Sequence, residues 1–163
     1  MRIAMLTWES LHSVSLGGVA VHVTELAAAL ERKGHEVHVF TRMRWAGDWQ
    51  YDRIHGVHYH RVPYNGAHDV VDDTNQMCRA FVDSVFHNEN YMGAHFDIVH
   101  AHDWMSSNAM VWIKQGRNRK GILSIHSTEY GRCGNNFYGG RSARIMDHER
   151  HGTFCADKVI TVS

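Results

Sequence analysis

The stretch Phe96–Trp104, FDIVHAHDW, is a short apolar run that ends abruptly in two histidines, an aspartate and a tryptophan. A short run of this kind is typical of a strand that is buried on both faces of a parallel sheet. In open parallel sheets, ligands bind in the crevice outside the carboxyl ends of the strands. The stretch therefore predicts a buried parallel strand with a functional site at its end.

Strand and helix patterns alternate on both sides of this stretch, which predicts an α/β fold. The expected architecture is a Rossmann-like doubly wound, mostly parallel sheet with helices on both faces. The aperiodic segment Trp45–Ile54 is expected to be an excursion or a small hairpin. The expected strands are Arg2–Trp8, Glu36–Thr41, Val57–Pro63, Phe96–His100, Gly121–His126 and Lys158–Val162, and the expected helices are Val19–Leu30 closed by Gly34, Val70–Asn88, Met105–Gln115 and Ser142–Gly152.

The composition is that of a single folded domain over residues 1–163. Basic and acidic residues number 17 each, so no net charge draws the chain to nucleic acid or to an anionic membrane. The three cysteines form no CxxC pair, which fits unpaired thiols in a reducing compartment. No segment reaches the roughly 18 apolar residues that a membrane span needs. We expect a cytoplasmic protein without a membrane span.

Histidine is frequent, with 15 of the 163 residues. There is no HExxH motif, and the histidines are scattered, so we expect most of them to be polar groups on the surface. A metal site would have to recruit His100, His102, Asp103 and His126, and the sequence does not fix how these approach one another. We therefore predict that no metal is bound.

Three polar segments follow predicted strands and should converge on one crevice: the loop with Gly17 and Gly18, the residues His100–Trp104, and the residues His126–Tyr130. The glycine pair would let backbone N–H groups approach an anion or a sugar hydroxyl at a helix N-terminus. It could equally make only a tight turn. The loop, SVSLGGVAV, is neither GxGxxG nor GxxxxGK[ST], so a dinucleotide site and a P-loop are not indicated.

The polar side chains of the other two segments also leave alternatives open. His102 can donate, accept or carry charge near neutral pH. Asp103 could orient that histidine or, like Ser106, cap the following helix. In the loop HSTEYGRCGNN, Glu129 and Tyr130 could contact sugar hydroxyls or only cap a turn. The sequence lacks a GxSxG motif, so a serine nucleophile is not indicated.

Four segments, in this order, resemble the N-terminal half of retaining GT-B glycosyltransferases: GGVAVHVTELAAALERKGHEVHVFT, FDIVHAHDW, ILSIHSTEYGR and ADKVITVS. The pattern is most similar to the family-four enzymes and the related glycogen and starch synthases. The resemblance implies a transferase in which an acceptor-binding N-terminal domain faces a donor-binding C-terminal domain across a cleft. It implies a hexosyl transfer from ADP-glucose or a UDP-sugar to a carbohydrate or glycoconjugate acceptor, with no tightly bound cofactor.

The resemblance also implies roles for single residues. By position, Gly17 and Gly18 match the loop that approaches the donor phosphates and the transferred sugar. His102 matches the histidine that lies against the reacting sugar, and is the expected catalytic residue. His126 matches a sugar-binding position at the end of the next strand. The expected contacts on the acceptor side are Asp103, Ser127, Glu129 and Tyr130.

Two departures from the family pattern refine this expectation. Ser15 stands where glycogen synthases of the bacterial type carry the lysine of Lys-x-Gly-Gly, which favours the wider family-four group. The chain stops at ITVS, where such proteins cross toward their second domain, so the donor-binding domain is expected to lie outside residues 1–163. We expect the isolated chain to be an acceptor-side half without significant turnover.

Two other functions remain open on the sequence: a non-catalytic module that binds carbohydrate or nucleotide sugars, and a histidine-rich metal hydrolase on a Rossmann-like sheet. Further side chains could serve an acceptor groove or only the fold. These are the aromatic residues Trp45, Trp49 and Tyr51, and the residues Asp72, Asp73 and Asn75 at a helix start.

Overall fold

The structure is a computed structural model, and it describes residues 1–162. The helices are α1 (Gly18–Arg32), α2 (Val70–Met92), α3 (Asp103–Arg117), α4 (Glu129–Arg132) and α5 (Arg141–Cys155). The strands are β1 (Arg2–Thr7), β2 (Glu36–Arg42), β3 (Tyr51–Ile54), β4 (Val57–Val62), β5 (Ile98–His102), β6 (Lys120–Ile125) and β7 (Lys158–Thr161).

The seven strands form one sheet in the order β3-β4-β2-β1-β5-β6-β7. All neighbours are parallel except β3 and β4, which form an antiparallel hairpin. The chain runs outward from β1 in one direction and then outward from β5 in the other, so the switch point lies between these two strands. The predicted doubly wound α/β fold is confirmed, and the aperiodic segment before β4 supplies the edge strand of a small hairpin.

The two faces of the sheet bury different side chains, because successive residues of a strand point to opposite sides. Ile3 and Met5 of β1 pack with Val23 of α1 in one apolar cluster. Ala4 and Leu6 belong to the cluster that α2 and α3 cover on the other face. The helices thus lie on both sides, as the sequence predicted.

The burial of strand β5 on both faces explains the composition of its sequence. Val99 and Ala101 are fully buried in the cluster under α2 and α3. His100 and His102 alternate with them and therefore face the side of α1, where they are also buried. The strand extends two residues beyond the predicted end at His100, so that His102 is its last residue.

The start of α3 differs from the prediction. The helix begins at Asp103 instead of Met105, and His102 is the N-cap without a side-chain hydrogen bond, so neither Asp103 nor Ser106 caps it. The Ser106 hydroxyl instead accepts from the backbone N–H of His102 at 3.0 Å and lies 3.0 Å from the carbonyl oxygen of Leu6. It thereby joins the ends of β5 and β1.

Most histidines are at least partly exposed, as predicted, but four are buried: His38, His60, His100 and His102. His38 and His60 share a hydrogen bond of 2.9 Å between Nδ1 and Nε2. His100 Nε2 lies 2.8 Å from the Ser124 hydroxyl. The burial of His38 and His60 was not predicted, because a polar residue between apolar neighbours also fits a half-exposed strand, whereas His100 and His102 belong to the stretch predicted to form a buried strand.

No helix within residues 1–162 is long and apolar enough to cross a membrane.

The buried histidines predict that the protein loses stability in mild acid. Burial lowers the pKa of His38 to about 4, of His60 to about 3 and of His100 to about 4. The unfolded chain takes up these protons near pH 6.5, whereas the folded chain does not. The buried histidines therefore do not lower the free energy of unfolding above that pH. This free energy should fall as the pH drops from about 6.5 to 4, by up to about 1.4 kcal/mol per pH unit for each such histidine.

Urea unfolding between pH 7.5 and 4.5 measures this slope, in a range where most carboxylates are still ionised. The exposed His95 offers a matched control, because His95→Asn should leave the slope unchanged. A free energy of unfolding that is constant over this range would show that the prediction is wrong.

Candidate functional site

Three histidines meet at the carboxyl ends of the central strands. His102 ends β5 and His126 follows β6, and their ring atoms Nδ1 and Nε2 lie 3.1 Å apart. The ring of His22, from α1, lies edge-on to both, with ring centroids 5.8 Å from His102 and 4.8 Å from His126. The ends of β5 and β6 thus meet at α1, the helix that follows the glycine loop.

Sequence reasoning missed His22. It lies four residues after Gly18 in GGVAVHV, hence one helical turn further along the same side of α1. That spacing was a usable signal. Only the fold, however, brings α1 over the end of β5.

His102 carries the one side-chain atom within residues 1–162 that is buried without a hydrogen-bond partner, its Nε2. The residue is 1% exposed. Burial, and then the neighbouring imidazoles, hold the pKa of His102 well below its ordinary value, so the ring is neutral at physiological pH. An unpaired buried polar atom costs about 1–3 kcal/mol. Such an atom calls for a partner, which a polar ligand or an ordered water can supply.

Asp103 holds the two strand ends together. It has a φ of 58°, in the left-handed region that aspartate tolerates better than most residues. Its Oδ1 accepts from the backbone N–H groups of His126 at 2.7 Å and Ser127 at 3.4 Å. Asp103 therefore fixes the loop after β6 relative to β5.

The glycine pair does not make a tight turn. Gly17 is extended, with a φ of −162°, and neither it nor Gly18 has a positive φ. A Cβ atom at Gly18 would meet nothing within 4 Å, and at Gly17 only Glu9 Oε1 at 3.6 Å. Nothing inside the protein thus requires glycine at these positions. Their effect is to leave the backbone at the start of α1 uncovered.

Glu9, another residue that sequence reasoning missed, shapes this loop from the end of β1. Its side chain is nearly buried, and Oε2 accepts from the backbone N–H groups of Leu16 at 2.7 Å and Gly17 at 3.0 Å. The position directly after a strand at the switch point was the available signal. Glu9 and Asp103 are the carboxylates that raise the pKa of His126, against the larger effect of burial, which lowers it.

Three of the four acceptor-side candidates, Ser127, Glu129 and Tyr130, lie on the loop after β6, which contains the unpredicted short helix α4. Arg132 donates to the Ser127 hydroxyl at 2.7 Å and to Glu129 Oε2 at 3.2 Å. The Tyr130 ring is 39% exposed and packs on Phe137, with ring centroids 4.8 Å apart. The structure thus ties Ser127 and Glu129 to Arg132 and leaves part of Tyr130 open.

The remaining candidates contact other parts of the fold. The Tyr51 hydroxyl lies 2.8 Å from His58 Nδ1 on β4, and its strand β3 is separated from β1 by two strands. Trp45 and Trp49 are exposed. The start of α2 is capped by Asp69, so the residues suggested as caps there do not act as such. Their side chains bond elsewhere: Asp72 to Arg144, Asp73 to Tyr64, and Asn75 to Asn108.

The four residues considered for a metal site are not gathered as a set. His100 Nε2 bonds to Ser124, and Asp103 Oδ1 is held by backbone N–H groups. The group in residues 1–162 whose ligand atoms cluster, within 4.8 Å of one another, is His22, His102 and His126.

This fold matches that of the N-terminal domain of GT-B glycosyltransferases. The chain belongs to Glycosyltransferase Family 4, whose sequence profile matches residues 16–163. The resemblance drawn from the four motif segments is thereby confirmed.

One relative by sequence and two solved structures of this fold illustrate the similarity. An uncharacterized glycosyltransferase of Methanocaldococcus jannaschii is 34% identical over 165 residues, which cover 100% of this chain and 40% of that protein. The sucrose-phosphate synthase of Thermosynechococcus elongatus superposes with a TM-score of 0.76 at 19% identity, over 99% of this chain and 42% of that one. The catalytic domain of starch synthase IV of Arabidopsis thaliana, bound to ADP and acarbose, gives 0.62 at 15% identity, over 77% and 34%. The chain thus spans about two fifths of the first two of these proteins.

The open space around Gly18 predicts that a methyl group there is tolerated by the fold. Gly18→Ala should leave the free energy of unfolding unchanged or raise it by up to about 1 kcal/mol, because alanine is the better helix former. Gly56→Ala is the matched control: Gly56 has a φ of +83°, and its Cβ would lie 2.2 Å from Glu31 Oε1. That variant should lose about 1–3 kcal/mol. Urea unfolding measures both, and an equal loss at Gly18 would contradict the uncovered-backbone interpretation.

Proposed function

We propose that this chain is the acceptor-side half of a retaining, nucleotide-sugar-dependent glycosyltransferase that transfers a hexosyl group to a carbohydrate or glycoconjugate acceptor. The observation that carries the proposal is the buried, unpaired Nε2 of His102, beside His126 and the uncovered start of α1. Membership in Glycosyltransferase Family 4 supports the class of reaction.

In this proposal His102 contacts the transferred sugar. A sugar hydroxyl can donate to or accept from Nε2, whichever tautomer the ring adopts, and so satisfies an atom that the protein leaves unpaired. Because its pKa is well below the ordinary value, the neutral ring is a weak base and binds the sugar without removing a proton. His126 sets the ring of His102 through the bond between their nitrogens.

Gly17 and Gly18 form the donor-facing loop. The backbone N–H of Gly17 donates to Glu9 and that of Ala20 to the Gly17 carbonyl, whereas the N–H groups of Gly18 and Val19 at the start of α1 have no intrahelical partner and no side-chain cap. These groups, at the positive end of the helix dipole, can approach the donor phosphates or the transferred sugar. The missing side chains let the ligand reach the backbone.

The charges around His126 explain why this domain alone is insufficient for sugar transfer. The acidic groups near His126 are Glu9 and Asp103, which oppose a negatively charged leaving group. The donor diphosphate must then be neutralised by a second domain, which we place in the remainder of the parent protein. Alignment of acceptor and donor alone is worth roughly 7–11 kcal/mol of barrier, and it needs both walls.

The donor in this proposal is ADP-glucose or a UDP-sugar, bound as a substrate, and no metal takes part in the transfer. The starch synthase neighbour, solved with ADP and acarbose, supports a nucleotide donor and a carbohydrate acceptor. On the acceptor side we place Asp103, Ser127, Glu129 and Tyr130.

The test is sugar transfer by the full-length parent protein and by residues 1–163 alone. In the parent, His102→Ala should lower kcat/KM by about 100-fold or more, as expected when a hydrogen bond in a water-excluded site is lost. His95→Ala, at an exposed position, is the control and should leave the rate unchanged. The isolated chain should show no turnover.

Each outcome decides a different point. Transfer at an enzymatic rate by residues 1–163 alone would overturn the assignment as a half-site. Binding of glycans or nucleotide sugars by the parent without transfer would favour a binding module instead. An undiminished rate in His102→Ala would remove that residue from the site.

A further inference from the structure

The three histidines of the crevice form a compact group of potential metal ligands. They come from three different elements, α1, the end of β5 and the loop after β6, and each offers a ring nitrogen within 4.8 Å of the others. His22 is exposed, His102 is buried, and His126 is in between. The group therefore has one ligand inside the fold and one at its surface.

The spacing of two of these ligands is already close to that of a zinc site. His102 Nδ1 and His126 Nε2 lie 3.1 Å apart. Two nitrogens that each bond a tetrahedral zinc ion at about 2.0–2.1 Å are about 3.4 Å apart. His102 Nε2 has no partner within residues 1–162, so neither nitrogen of this ring is committed to a group other than His126. The third ligand atom, on the exposed His22, lies within 4.8 Å of both.

The surroundings favour a cation. Of the charged groups that act on His126, both of the fixed ones, Asp103 and Glu9, are acidic. Three imidazoles with an open fourth position are a known ligand set for zinc, and imidazole also suits cobalt, nickel and copper.

We propose that His22, His102 and His126 bind one divalent transition-metal ion, with zinc as the reference ion and water in the remaining position. The proposal departs from the sequence-based expectation that no metal is bound, because that expectation considered His100 and Asp103 as ligands and not His22. The ion is not a cofactor of transfer. Bound through His102 Nδ1, it would hold the same imidazole whose Nε2 is assigned above to the sugar and so inhibit the parent enzyme, and this consequence alone rests on the proposed function.

The test uses residues 1–163 without a histidine tag and titrates them with Zn²⁺ by calorimetry and with Co²⁺ by visible absorption. We expect one ion per chain, with the absorption bands of tetrahedral cobalt. His22→Ala should weaken binding by more than the roughly 10–100-fold that follows loss of an outer-shell partner, because a direct ligand is removed. Since His22 is exposed, this variant should fold, and its urea unfolding curve checks that it does.

The matched control tests a different pair of side chains that could bind a metal ion, His151 and Cys155. Cys155 Sγ lies 3.8 Å from Nε2 of His151 on α5, which provides two ligands at most. His151→Ala should leave the affinity and the cobalt spectrum unchanged. No binding of either ion, equal affinity in His22→Ala, or loss of binding in His151→Ala would each overturn the proposal.

Discussion

The parallel pairing of β1 with β5 is the constraint on which the rest of the molecule depends. Its register places Met5 opposite His100 and Leu6 opposite Ala101. Because the chain leaves β1 toward one edge of the sheet and leaves β5 toward the other, α1 and α3 diverge to opposite faces at the switch point, which is where ligands bind in sheets of this kind. The same register sets the alternation that sends Ala101 into the apolar cluster and His102 toward α1. One ladder of backbone hydrogen bonds thus produces both the core and the site.

The site combines features that would each destabilise an ordinary core. An imidazole nitrogen is buried without a partner, an aspartate adopts a left-handed backbone, and a carboxylate is nearly buried beside a glycine loop. The last two are balanced inside the protein, because Asp103 and Glu9 each accept backbone N–H groups. His102 Nε2 has no hydrogen-bond partner within the described residues. Local cost of this kind concentrates at functional sites, where a ligand supplies what the fold does not.

Much of this could be predicted from the sequence. FDIVHAHDW carries the periodicity and the abrupt change to polar residues that identify a buried strand and its functional end, and the alternation of elements identifies the sheet. What the sequence could not give was contact across space. His22 lies about 80 positions before His102 in the chain, and Glu9 reaches the glycine loop only because the intervening residues fold back. The conformation of Gly17 and Gly18 was also undetermined, since glycine is equally compatible with a tight turn and with an exposed extended backbone. The prediction of Ser106 as a helix cap was wrong for a related reason. Its hydroxyl bonds to the Leu6 carbonyl of β1, and no local sequence pattern predicts that contact.

The carboxylate of Glu9 has a consequence for selectivity. It already occupies the N–H groups of Leu16 and Gly17, donors that would otherwise attract any small anion. Inorganic phosphate or sulfate in the cell would have to displace the Glu9 carboxylate. This group is also an anion, and because it belongs to the same chain its effective concentration at these donors is high. A ligand that presents an uncharged hydroxyl to this part of the loop faces no such competition. Under the proposed function, this arrangement would favour the uncharged sugar end of a donor at the loop over free phosphate or sulfate.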